Sequence, residues 1–216
     1  MDFFNKSEQS ILLNAENIIV GFSGGVDSTL VLAATNQFLE AYNKKNCLTA
    51  LHVNHQTQSD SSSWQIHCEK FCKEHNINFS CESVKIKESG QGYEAAARSA
   101  RLDIFNAFDE ATVIILGHHL DDQVETVFFR VLRGTGLKGL TGMQRHIKIE
   151  DKDFIRPLLH LTKEEIFKQA TEYKLSFIED QSNTDNAYSR NFLRNEIIPQ
   201  ISKRWPGAKK NTARMA

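Results

Sequence analysis

Apolar runs alternate with stretches of helical spacing along most of the chain. Residues 8–14 read as a short helix. Ile18-Ile19-Val20 then opens an apolar run that breaks at Ser23-Gly24-Gly25-Val26-Asp27-Ser28, and apolar residues return at helical spacing over 29–42. A second apolar run, 47–53, ends in Asn54-His55, and Asp60 with the serines after it caps a predicted helix through about residue 75. Residues 77–84 read as a third strand and 93–108 as a helix. Residues 112–116 form a fourth strand, closed by Gly117-His118-His119, and a helix follows over about 121–133. On that last helix Val124, Val127, Phe128, Val131 and Leu132 make one apolar face, expected to dock on the sheet. Strands alternating with helices predict an α/β fold: a doubly wound, mainly parallel sheet with helices on both faces. Ligands of such sheets sit at the carboxyl ends of the strands. The Ser23 loop, Asn54-His55 and His118-His119 all fall at such ends.

The first break carries chemistry. A strand, a tight turn and a helix start aim backbone N–H groups at one point, at the positive end of the helix dipole, which makes an anion site suited to phosphate. Gly24 and Gly25 let the backbone approach, and Ser23 and Ser28 add hydroxyls. No lysine follows the glycines, so the loop is not a Walker-A loop. Asp27 repels phosphate unless it holds a bridging Mg²⁺; otherwise it caps the helix. The plain alternative is a strand-to-helix turn with an ordinary cap.

Composition narrows the class. The 216 residues are 40% hydrophobic and 25% charged, ordinary for a globular protein. No apolar run approaches a transmembrane length and the start is no signal peptide, so a cytoplasmic location without membrane association is expected. Cys47, Cys68, Cys72 and Cys81 make no CxxC pair and read as reduced structural thiols. Net charge is −1, yet residues 185–216 hold seven Lys/Arg against two acids, a local +5 that leaves −6 for the rest. Residues 126–147 carry Arg130, Arg133, Lys138 and Arg145 and no acid. Two basic regions on a near-neutral chain suit RNA or simply solvated faces.

Four further stretches stand out. His118-His119-Leu120-Asp121-Asp122-Gln123-Val124-Glu125-Thr126 packs two histidines and three acids at a strand end, suited to Mg²⁺, an amine or a nucleotide; capping accounts for only one of the acids. Residues 134–142 hold four glycines and read either as a mobile loop over the site, in which Arg133 and Lys138 could neutralise phosphate, or as a flexible connector with no ligand. Glu94-Ala95-Ala96-Ala97-Arg98, with Arg101 on the same side, has the spacing of a solvated helix face. Arg190 and Arg194 lie on a basic amphipathic helix ending before Pro199, and suit phosphate contacts or ion pairs back to Glu179 and Asp180.

Ser-Gly-Gly-Val-Asp-Ser resembles the pyrophosphate loop of the N-type ATP pyrophosphatases. In order along nearly the whole chain, the quoted stretches are similar to those of the tRNA(Ile)-lysidine synthetases. They are the loop, His52-Val53-Asn54-His55, Glu94 to Arg101, His118 to Met143, and Glu179 to Arg194. Gln56-Thr57 departs from the Gly-Leu that often follows the second histidine. The resemblance implies an adenine nucleotide alpha hydrolase-like fold. It implies a ligase that adenylates the wobble cytidine of the CAU-anticodon tRNA(Ile) with ATP and Mg²⁺. The amine of L-lysine then displaces AMP. ATP is expected on Ser23, Gly24, Gly25, Val26, Asp27, Ser28 and His55, and the metal on Asp27 and Asp121. Asp27, His119, Asp121, Glu125 and Arg133 are the expected catalytic residues. His119, Asp121 and Glu125 remain open as the base for the amine. Glu94, Arg98, Arg101, Asp122, Lys138, Arg190 and Arg194 are expected to meet lysine or tRNA. Residues 1–216 read as one catalytic domain, with 185–216 a basic helical segment leading towards further tRNA-binding domains and a homodimer left open. Two rivals are a thiolating relative, which needs reactive cysteines, and a nonenzymatic ATP-binding module, against which the three acids speak.

Overall fold

The structure, a computed structural model, describes residues 1, 3–54, 61–84, 93–109, 112–179 and 185–216, and within these leaves aside the side chains of residues 61, 62, 93–95, 97, 98, 101 and 138. Helix α1 (Lys6–Asn14) starts in a capping box between Asn5 and Glu8. Strand β1 (Asn17–Gly21) leads into α2 (Val26–Ala41), β2 (Leu48–Asn54) into α3 (Ser61–Glu74), and β3 (Asn78–Ser83) precedes α4 (Tyr93–Asn106). Strand β4 (Thr112–Ile115) leads into α5 (Leu120–Leu132) and a short α6 (Leu137–Leu140). A hairpin of β5 (His146–Ile149) and β6 (Lys152–Ile155) follows, then α7 (Lys163–Glu172). The chain closes with α8 (Ser189–Phe192), a π-turn over Leu193–Ile197, α9 (Ile198–Arg204) and α10 (Ala208–Met215).

The six strands form one sheet in the order β3-β2-β1-β4-β6-β5. All pairs are parallel except the β5–β6 hairpin, so β1, β2, β4 and β6 end on the same side. Central strands read as unbroken apolar runs because both faces are covered. Ile18 and Val20 of β1 pack with Leu30 and Val31 of α2, Phe71 of α3 and Ile166 of α7 in one core. Ile19, one residue between them, joins Leu51, Ile114 and Phe154 in a second core with Phe105 of α4. This is the doubly wound sheet expected from the pattern.

Four expectations change. The β5–β6 hairpin and α7 were not foreseen: the strands are four residues each and outer β5 alternates little, while α7 is short and mostly polar. The apolar face of α5 does not dock on the sheet as a unit. Leu120 and Val124 pack on Leu193 and Ile198 of the C-terminal helices, and Val131 and Leu132 stay 49% and 69% exposed. Residues 134–142 contain α6 and are tied to α5 instead of running free. The last helical region passes Pro199, which sits in the first turn of α9 where its missing N–H costs nothing.

Candidate active site

The anion loop is built as its residues suggest. Phe22 N still donates to Leu51 O at 2.8 Å, so the chain leaves the sheet only at Ser23. Gly24 turns it with φ +85, a conformation that favours glycine. Gly24 O accepts Ile178 N at 2.9 Å, which fixes the loop from the segment after α7. Gly25 caps α2 with no side-chain hydrogen bond, leaving first-turn amides for a ligand. Ser28 Oγ accepts Ser23 N at 3.2 Å and donates to Gly25 O at 3.0 Å, so this buried hydroxyl shapes the loop. Val26 is buried, so only its backbone can face an anion. A Cβ at Gly117 would lie 3.0–3.1 Å from backbone atoms of Asp27 and Ser28, so glycine lets the end of β4 pass directly over the first turn of α2.

The N-termini of α2, α5 and α7 meet here. His119 caps α5: its Nδ1 accepts Asp122 N at 3.3 Å, while Asp122 Oδ2 accepts His119 N at 3.0 Å. An accepting Nδ1 places the ring proton on Nε2, which lies 3.7 Å from Asp27 Oδ1. Asp121 Oδ2 accepts Lys163 N, the first amide of α7, at 2.8 Å, and its Oδ1 accepts Lys209 Nζ of α10 at 2.6 Å. Lys163 Nζ donates to Asp27 Oδ2 at 2.6 Å. One lysine therefore joins the anion loop to the acid cluster. Burial pushes the Asp121 carboxyl up, but Lys209 and the Lys163 amide hold it below the ordinary value. Burial acts the same way on Asp122, but His119 and His118, the hydrogen bond from the His119 amide and Arg194 together hold that carboxyl below its ordinary value too.

Glu125 lies deeper, 1% exposed, and receives Arg194 through Nε at 2.6 Å and Nη2 at 2.9 Å. Burial raises the Glu125 carboxyl above its ordinary value despite that fork. Arg194 Nη2 also reaches Asp122 Oδ1 at 3.5 Å. At the far end of α5 the Arg133 guanidinium lies 5.2 Å, and that of Arg190 6.0 Å, from the centre of the Phe129 ring. The glycine-containing loop between is anchored: Gln123 bonds both ways with the Met143 backbone at 2.6 and 2.9 Å, and Arg130 Nη1 donates to Gly139 O and Gly142 O.

The structure thus brings Ser23, Gly24, Gly25, Val26, Asp27, Ser28, His119, Asp121 and Asp122 together. Glu125 and Arg194 form an ion pair beside them, while Arg133 and Arg190 share Phe129. His55 and the side chains of Glu94, Arg98, Arg101 and Lys138 lie outside the described residues. Three contributors escaped the sequence reading. Lys163 and Lys209 come from helices distant in sequence, and Gly117 looked like simple strand-end punctuation. For a cation, Asp27 Oδ1 is buried and without a hydrogen-bond partner, which fits. Both Asp121 oxygens already accept N–H donors. Among the described residues no group of three or more His, Cys, Asp or Glu is arranged to hold a metal. Mg²⁺ needs only one or two carboxylates, because waters and phosphates complete its shell. Burial pushes the Cys68 and Cys72 thiols up to about 12, which leaves them inert.

A family model described as a PP-loop domain matches residues 2–201. The chain belongs to the PP-loop family. Among curated proteins, this PP-loop chain is 41% identical over 192 residues to a tRNA(Ile)-lysidine synthase of Histophilus somni (strain 2336), covering 87% of the chain and 44% of the relative. It is 39% identical over 202 residues to that of Legionella pneumophila (strain Lens), covering 93% and 46%. It is 38% identical over 206 residues to that of Escherichia coli O157:H7, covering 95% and 48%. The chain spans about half the length of these relatives. Among solved structures, the U34-tRNA thiolase NcsA from Methanococcus maripaludis, with its [4Fe-4S] cluster, superposes with TM-score 0.71 at 19% identity. The match covers 97% of this chain and 76% of that one, a likeness of PP-loop fold. Among the described residues no helix is long and apolar enough to cross a membrane.

Proposed function

We propose that this PP-loop domain carries out the chemistry of tRNA(Ile) lysidine formation, in the cytoplasm. ATP adenylates the ring carbonyl oxygen of the wobble cytidine in the CAU anticodon, with pyrophosphate leaving. The amine of L-lysine then attacks the activated carbon, and AMP leaves. The observation that carries this reading is that Asp27 and Asp121 each hold a primary ammonium, at 2.6 Å, beside an anion loop. Phosphate-binding and amine-binding chemistry share one cluster. The relatives named tRNA(Ile)-lysidine synthase support the substrates.

The residues divide the work. Loop amides from Ser23 to Ser28 and the α2 N-terminus receive the pyrophosphate portion of ATP. Asp27 would hold Mg²⁺, which when bound spreads charge on the departing phosphates. Asp121, held below the ordinary carboxylate value, is a good counter-ion and a weak base, so it orients the incoming amine. His119 and Asp122 lock the α5 N-terminus so that Asp121 and Asp27 stay in register. Glu125 with Arg194 forms the charged floor, and Arg133 and Arg190, stacked on Phe129, suit a phosphate and base of the anticodon loop. The test is release of pyrophosphate and AMP with ATP, lysine and cognate tRNA, omitting each in turn. Pyrophosphate release should need ATP and tRNA but not lysine, and AMP release should need all three. AMP release without tRNA would contradict the reading. The inert Cys68 and Cys72 give a thiolation chemistry no support.

A further inference from the structure

The anion loop faces a charge problem that its own residues do not solve. Residues 22–29 contain no lysine or arginine, and Asp27 adds a negative charge. Backbone amides and hydroxyls carry only partial charges, whereas a pyrophosphate group carries several full ones. We propose that Lys163 is the phosphate-binding lysine of this loop, supplied by α7 from 136 residues downstream of Asp27 and exchanging between Asp27 and the pyrophosphate end of a bound nucleotide. The inference rests on the nucleotide-binding reading above and adds a residue to it.

Three observations carry it. First, position: Nζ lies 2.6 Å from Asp27 Oδ2, on the first turn of the loop's own helix. Among the described residues, Arg194 is forked onto Glu125 and Lys209 is bound to Asp121. Second, a fixed base with an exposed tip. The Lys163 amide donates to Asp121, and Thr162 with Glu165 caps the helix start, so the backbone is pinned. The side chain is 49% exposed, so its four-carbon stem can move the ammonium by a few ångströms without unpacking anything. Third, the partner it would leave stays useful: Asp27 Oδ1 has no hydrogen-bond partner, so a carboxylate released by Lys163 is ready to take a cation arriving with phosphate. A plain surface ion pair would need none of these features and would stabilise the fold little.

The test titrates the 216-residue chain with pyrophosphate alone, in chelator, by calorimetry. Lys163→Met should weaken binding at least about tenfold, and Lys163→Arg should recover part of it. Asp27→Asn should act in the opposite direction, tightening metal-free binding, because Asp27 competes with phosphate for the same ammonium. AMP binding, which needs no pyrophosphate subsite, should be unchanged in Lys163→Met, and the melting temperature should be close to that of the parent chain. Binding of pyrophosphate by Lys163→Met within twofold of the parent overturns the assignment. So does equal loss of AMP and pyrophosphate, which would make Lys163 a structural strut. Neither lysine nor tRNA enters the titration, so its outcome is separate from that of the lysidine assay.

Discussion

Removing Arg194 should destabilise the protein in a way that depends on pH. Arg194→Met deletes the fork on Glu125, a carboxyl only 1% exposed, and leaves the acid with two ways out. It can stay charged and unpaired, which costs about 3–5 kcal/mol for a broken buried pair. Or it can take a proton, which costs about 1.4 kcal/mol for each pH unit above the ordinary value of 4.5. Near pH 7.5 the second route costs about 4 kcal/mol, so the two coincide and a loss of about 3–4 kcal/mol is expected. Near pH 5.5 protonation costs only about 1.4 kcal/mol, and the loss should shrink to about 1–2 kcal/mol. The sign follows from the raised carboxyl. It binds its proton more tightly folded than unfolded, so its contribution is complete below about 4.5 and is lost as pH rises through the folded value. Urea unfolding at both pH values, with the slope held constant between variants, measures this directly. Adding Glu125→Leu to Arg194→Met should recover stability near pH 7.5 and remove the share of the pH dependence that Glu125 contributes. A penalty that is equal at the two pH values, or a double variant worse than the single one, would refute the account.

Asp27→Ala should abolish pyrophosphate release and the Mg²⁺-dependent part of ATP binding while the urea midpoint stays put; turnover in the folded variant would sink that role. Asp121→Asn should lower AMP release at least about 10²-fold and raise the apparent KM for lysine. The same variant should flatten the acid limb of stability, since the lowered Asp121 carboxyl contributes above the ordinary 3.8 and loses that contribution as pH falls through its folded value. Gly117→Ala should cost about 1–3 kcal/mol of stability, because the added methyl meets α2 backbone at 3.0–3.1 Å and backbone gives way poorly.

The parts legible in sequence were those in which one short segment does the whole job. The loop from Ser23 to Ser28 needs only its own glycines, hydroxyls and following helix, and the strand–helix alternation set the sheet and the side on which its ends gather. The α5 acid cluster was visible for the same reason, since His119, Asp121 and Asp122 sit within one turn. What was not legible is pairing. Arg194 read equally as an RNA contact or an ion-pair partner, and nothing local to it reveals Glu125 across 69 residues. Val131 and Leu132 have the helical spacing of a core face, but α5 packs with the C-terminal helices only as far as Phe128 and Phe129, and its last residues project beyond them. Lys163 opens a polar ten-residue helix, where a lysine is unremarkable until α7 is placed against α2.

That placement sets an order of assembly. The strand, turn and helix around Ser23 can form from about 25 adjacent residues, yet the bonds that finish the site close long loops. Ile178 returns to Gly24, Lys163 to Asp27 across 136 residues, and Lys209 to Asp121 across 88. Contacts of such separation form late, because the chain entropy of closing those loops comes before the contacts that compensate it. During synthesis, which runs from the N-terminus, the loop therefore waits with Asp27 uncompensated until α7 has left the ribosome. On the proposed reading, nucleotide capture waits for α7, and a nascent fragment ending before residue 163 should fold its first strands without acquiring it.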